Sequence, residues 1–113
     1  MPGKMTWRIT FYEDRRGNRP ALEFVNSLPQ QEQAKVYNSF RLLTEFGTLL
    51  GMPHARHIRG KLWELRPGGV RLLYFAFVDN QFVMLHGFRK QTNQTPRLEI
   101  EIALRRLREL EET

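Results

Sequence analysis

Apolar side chains recur along the chain with two different periods. From Thr6 to Tyr12 they alternate, Trp7, Ile9 and Phe11 against Arg8, Thr10 and Tyr12, which is the pattern of a half-buried strand. Glu13 to Asn18 is a polar turn. Past Pro20, a residue suited to the first turn of a helix, Ala21, Phe24, Val25 and Leu28 share one helical face. Leu28-Pro29 interrupts that face, and Val36, Phe40, Leu43 and Gly47 then follow at helical spacing. The expectation is a short helix, a sharp corner, and a longer helix stopped at Gly47. Between Thr48 and Arg59 the pattern lapses, and Gly51, Pro53, His54 and His57 predict a loop or a frayed helical turn.

Period two returns from Lys61 to Pro96. Three apolar runs rich in Val, Leu, Phe, Tyr and Trp are separated by Pro67-Gly68-Gly69 and by Asp79-Asn80, the signals of an antiparallel meander. In its middle run Val70, Leu72, Tyr74, Ala76 and Val78 share one face, with Arg71, Leu73, Phe75 and Phe77 on the other. A strand apolar on both faces is central and covered. Thr95 as cap and Pro96 at the first position open a last helix, with Ile100, Ala103, Leu107 and Leu110 as its buried stripe and Glu101 spaced to pair with Arg105.

Composition narrows the class. The chain has 113 residues, 41% hydrophobic and 27% charged, the make-up of one globular domain over 1–113. It contains no cysteine, which removes disulfides and thiolate chemistry. No apolar run approaches the roughly 18 to 20 residues that span a bilayer, and MPGKMTWRITF lacks the h-region of a secretion signal. A cytoplasmic protein without a membrane partner is the expectation. His54 and His57 stand three apart but lack further ligands at converging spacing, so neither a metal nor another cofactor is expected.

Charge changes the picture more. From His54 to Arg97 the chain holds eight cations (Arg56, Arg59, Lys61, Arg66, Arg71, Arg89, Lys90, Arg97) against two acids, so the whole net charge of +6 falls in this window and the rest is balanced. This is the pattern of a polyanion-binding face or, on charge alone, of a solvated basic sheet. Arg71 stands near the start of a strand otherwise apolar. It is either an ion-pair partner of Glu64 across the Pro-Gly-Gly turn or a phosphate clamp. His86 ends the third run beside a loop dense in donors, either as a half-buried structural residue or as a proton carrier with a pKa near neutrality. Tyr74 is a second candidate for that task.

Taken together these residues resemble the HigB-like, phage-related branch of the RelE/ParE superfamily, the toxin halves of bacterial type II toxin-antitoxin pairs. The resemblance is carried by the opening Trp7-x-Ile9-x-Phe11-Tyr12, by Gly17, Pro20 and Phe24, by Ser27-Leu28-Pro29, by Leu62 to Arg66, by Val70 to Tyr74, and by Leu85 to Thr92 running into Thr95-Pro96. It implies an α+β fold, two N-terminal helices and a C-terminal helix packed on a twisted, mainly antiparallel four-stranded sheet. It also implies a metal-independent endoribonuclease that cuts messenger RNA on the ribosome. An antitoxin with a helix-turn-helix would silence it, and DNA would be met only through that complex. On this resemblance Arg71, Lys90, His86, Arg66 and Glu64 are the candidate catalytic residues, with Arg59, Lys61, Arg89 and Arg97 as RNA contacts. Where well-known RelE toxins carry lysines, this chain has Leu62 and Glu64. Inhibition of DNA gyrase, as in ParE-like relatives, and binding of nucleic acid without cleavage are the competing functions.

Overall fold

The computed structural model describes residues 6–113. Strand β1 (Arg8–Phe11) leads to helices α1 (Pro20–Asn26) and α2 (Gln30–Phe46), then a 3₁₀ turn at Gly47–Leu49. Strands β2 (Ala55–Arg59), β3 (Leu62–Leu65), β4 (Val70–Phe77) and β5 (Gln81–Arg89) follow, and α3 (Arg97–Glu111) comes last. One sheet runs in the order β1-β5-β4-β3-β2, with β1 parallel to β5 and the other pairs antiparallel.

The local signals explain most of this. Pro20 occupies the start of α1, and Gly47, at φ +61°, ends α2 where the Trp7 indole leaves no space for a side chain. Asp79 and Asn80 both take positive φ, 60° and 56°, which matches the right-handed twist of the β4–β5 hairpin. Alternation along β4 divides the core. Val70, Leu72 and Tyr74 meet Ala21, Val25, Val36, Phe40 and Leu43 of α1 and α2 on one face of the sheet. Leu73 and Phe75 meet Ala103 and Leu107 of α3 on the other, with Ile100 and Leu110 packed alongside.

Three expectations need correction. The sheet has five strands, not four, and is mixed: β1 runs parallel to β5, while the other three pairings are antiparallel. The extra strand is β2, read from its sequence as a loop; its run ARHIR is an edge strand with only Ala55 buried and a bulge between His57 and Arg59, so it carries little periodic signal. Thr95 does not cap α3. Pro96 holds that position without a side-chain cap, because the Thr95 hydroxyl is engaged elsewhere. Glu101 pairs with Arg97 at 2.9 Å, not with Arg105.

A second bulge bears on the site. The β4–β5 register shifts between Leu73 and Tyr74, which face His86 and Met84 and leave Leu85 over. The extra residue turns His86 and Phe88 toward α3 while Gly87 faces α1.

Candidate functional site: a buried carboxylate held by three arginines

Cross-strand partners share a face of the sheet, so the pairings Arg56 with Glu64, Glu64 with Leu73 and Arg71 with Phe88 bring these side chains to the α3 side. Glu64 is 1% exposed, and a carboxylate so buried must be compensated. Its Oε1 lies 3.2 Å from Arg56 Nη2, 3.7 Å from Arg66 Nε and 3.9 Å from Arg71 Nε. Its Oε2 accepts from the Thr95 hydroxyl, which in turn accepts from Arg56 Nη2 at 2.9 Å. Glu64 is therefore a hub. It accepts hydrogen bonds from Arg56 and Thr95, while Arg66 and Arg71 stand beyond hydrogen-bond reach and are held to it by charge alone.

Arg71 is 6% exposed, and its Nη1 donates to the carbonyls of Gly68 and Val70, both at 2.8 Å. Burial, and then the nearby Arg66 charge, lower its pKa from the usual arginine value, while Glu64 opposes the shift. Lys90 reaches the same place from the end of β5, where its backbone N–H donates to Gly69 O at 2.9 Å. Glu64, Arg71, Phe88 and Lys90 line a recess roofed by Thr92 to Thr95, with no room even for a water molecule. Three arginines and one lysine around a single carboxylate leave a surplus of positive charge at this end of the sheet.

The expected site residues divide. Glu64, Arg66, Arg71 and Lys90 come together around the β3–β4 turn. His86 lies further along β5 toward α3: Nε2 is 2.8 Å from Glu99 Oε1, Nδ1 is 3.4 Å from Arg106 Nη1, and the ring stacks on Phe88. Burial pushes its pKa below the ordinary histidine value, with Glu99 opposing. Both ring nitrogens are thus occupied by α3. Tyr74 sits in the core on the α1–α2 side, and burial pushes its phenol up, away from any acid-base task near neutrality.

The expected RNA contacts do not line the recess. Lys61 is paired with Glu111, Arg97 with Glu101, and Arg89 reaches the opposite face to grip Glu32 of α2 through two contacts of 2.7 Å. Arg59 is exposed on the edge strand β2. His54 and His57 are exposed beside that edge, and among the described residues no three metal-ligating side chains converge.

Arg56 and Thr95 escape a reading of the sequence. A signal for Arg56 existed: it and Glu64 flank Gly60 at a separation of 8, as facing residues in a hairpin do, and Gly60 takes φ +55°. Nothing local marks Thr95, whose partner is 31 residues away.

The architecture and its cationic cluster define an α+β protein with a buried carboxylate and a surplus of positive charge at one end of the sheet. The profile of the family described as phage derived protein Gp49-like (DUF891) matches residues 23–108, and the chain belongs to that family. The crystal structure of the isolated E. coli RelE toxin, P21 form, is similar at 20% identity and TM-score 0.49, over 89% of this chain and 98% of that one. No curated protein matches the sequence. No helix among the described residues is long and apolar enough to cross a membrane.

Proposed function

We propose that this protein is a RelE-type toxin of a type II toxin-antitoxin pair, acting as a metal-independent endoribonuclease on messenger RNA at the ribosome. Membership of the phage-derived Gp49-like family supports the toxin class, together with the motifs from Trp7 to Pro96. The observation that carries the RNA reading is the gathering of Arg66, Arg71 and Lys90 around one turn, with Glu64 as the organiser that holds two of them in place.

The reaction asked of this site is attack of a ribose 2′-oxygen on the adjacent phosphorus. The new O2′–P bond forms as the P–O5′ bond breaks; the 2′-hydroxyl gives up its proton and the departing 5′-oxygen takes one. Negative charge grows on the non-bridging oxygens, and fixed cations in a water-poor recess lower that barrier most. Arg71 and Lys90 take this role, with Arg66 behind them. The Thr92–Thr95 roof must lift to admit the phosphate, which makes the free protein a closed form that its ribosomal target completes. His86 is the candidate proton carrier, with Glu99 and Arg106 of α3 at its two ring nitrogens. The partner is an antitoxin with a helix-turn-helix.

Expression of the chain alone is expected to arrest growth, and Arg71→Ala to relieve the arrest. Primer extension on cellular messages separates the classes. Cuts inside translated frames support the reading; intact messages with broken DNA point to gyrase inhibition, and growth arrest with neither overturns cleavage.

A further inference from the structure

A second basic cleft flanks the same turn on its other side. Lys35, Asn38 and Ser39 of α2 form one wall, and His54, Arg66 and Gly68 the other, enclosing about 340 Å³ open to solvent. Lys35 arches over the turn: a Cβ placed on Gly68 would lie 3.0 Å from its Cδ and 3.5 Å from Nζ. The carbonyl of that same Gly68 accepts from Arg71. Arg66 lines this cleft while its Nε faces Glu64, so it belongs to both sides. Lys61, Arg89 and Arg97 are tied up by carboxylates, whereas Lys90 forms no ion pair with a described residue and Lys35 has only the longer-range attraction of Glu32, which Arg89 already grips. Gly68 and Gly69 expose bare backbone between the two lysines.

Resting on the RNA-cleaving reading above, we infer that the α2 cleft is a second phosphate subsite, which holds the backbone of the single strand as it leaves the Glu64–Arg71 recess over the Gly68-Gly69 turn. Lys35 and Arg66 supply charge to one phosphate, and Asn38 supplies a side-chain amide to the adjoining phosphate or ribose oxygens. The recess then does the chemistry and the cleft fixes the register of the strand, a division in which backbone contacts position without reading sequence. Ser39 is buried and shapes the floor.

The test uses a fluorescent hexaribonucleotide with 2′-O-methyl groups throughout, which keeps every phosphate and cannot be cut. Binding is followed by anisotropy across a salt series for the wild-type chain, Lys35→Gln, Lys35→Arg, Lys90→Gln and Arg105→Gln, the last an exposed cation on α3 that reports the loss of net charge alone. Lys35→Gln should weaken binding several-fold beyond Arg105→Gln and lower the salt slope by about 0.7, the value for one phosphate contact on a single strand. Lys35→Arg should restore both. If Lys35→Gln behaves like Arg105→Gln while Lys90→Gln weakens binding, the subsite is wrong and the cleavage reading stands. If the wild-type chain does not bind the hexamer, or no variant differs from Arg105→Gln, the subsite is wrong; the cleavage reading, whose recess opens at the ribosome, falls only if primer extension finds no cuts in translated messages.

Discussion

The Thr95 hydroxyl, just ahead of α3, donates to the Glu64 carboxylate in β3 across 31 residues of sequence. This contact ties the roof of the recess to its floor, because Thr95 ends the loop that covers Arg71. Thr95→Val keeps the shape and deletes the hydroxyl. Hydrogen bonds to charged groups contribute about 1.5–3 kcal/mol, so urea unfolding should show a loss in that range. Amide exchange should quicken over residues 91–95 and stay unchanged in β4. An unchanged loop would show that the roof is held by something else.

Glu64→Gln tests the hub. It leaves three guanidinium groups converging on a neutral amide, and breaking a buried ion pair from one side costs about 3–5 kcal/mol. Arg56 and Arg66 keep some access to water, which places the expected loss near 3 kcal/mol by denaturant midpoint. A variant as stable as the parent would mean that the arginines do not depend on this carboxylate.

Lys90 is exposed, so its removal should leave stability alone and act on chemistry. Loss of one donor to a developing oxyanion costs about 100-fold or more in rate. Lys90→Ala should cut message cleavage by that order with an unchanged thermal midpoint. Full activity in this variant would move the oxyanion contact to Arg71 and Arg66 alone.

His86 gives a signed pH dependence. Its folded pKa lies below the usual 6.5, chiefly through burial, so the unfolded chain binds the proton more readily. The stability from keeping the ring neutral is complete above pH 6.5 and is lost as pH falls from there through the lowered folded value. Thermal midpoints measured from pH 8 to pH 5 should decline more steeply for the parent than for His86→Gln. Parallel curves would place the titrating group elsewhere.

Gly87 marks where α1 rests on the sheet. A Cβ there would come within 2.4 Å of Phe24 Cδ2 and 2.8 Å of Leu72 Cδ2. Gly87→Ala should cost about 1–3 kcal/mol by overpacking. Adding Phe24→Leu should recover part of that loss; a double variant no more stable than Gly87→Ala would point to backbone strain.

What could be read in the chain follows from locality. The period-two run of β4, the helical stripe of α3, and the breaks at Pro20, Pro29, Gly47 and Asp79-Asn80 act through neighbours a few residues away, so sequence alone placed these elements and divided the two core faces. The strand ARHIR was hidden because an edge strand with a bulge buries too little to show a period. For the site, the sequence determined which residue types are present and that Glu64 and Arg71 could meet across one turn. Folding alone decided that Thr95 joins them, that Lys35 stands over Gly68, and that Arg89 and Lys61 spend their charge on Glu32 and Glu111. Charges act through space over several ångströms, with no regard to sequence separation, and their partners are set only once the sheet has its register and the helices have docked.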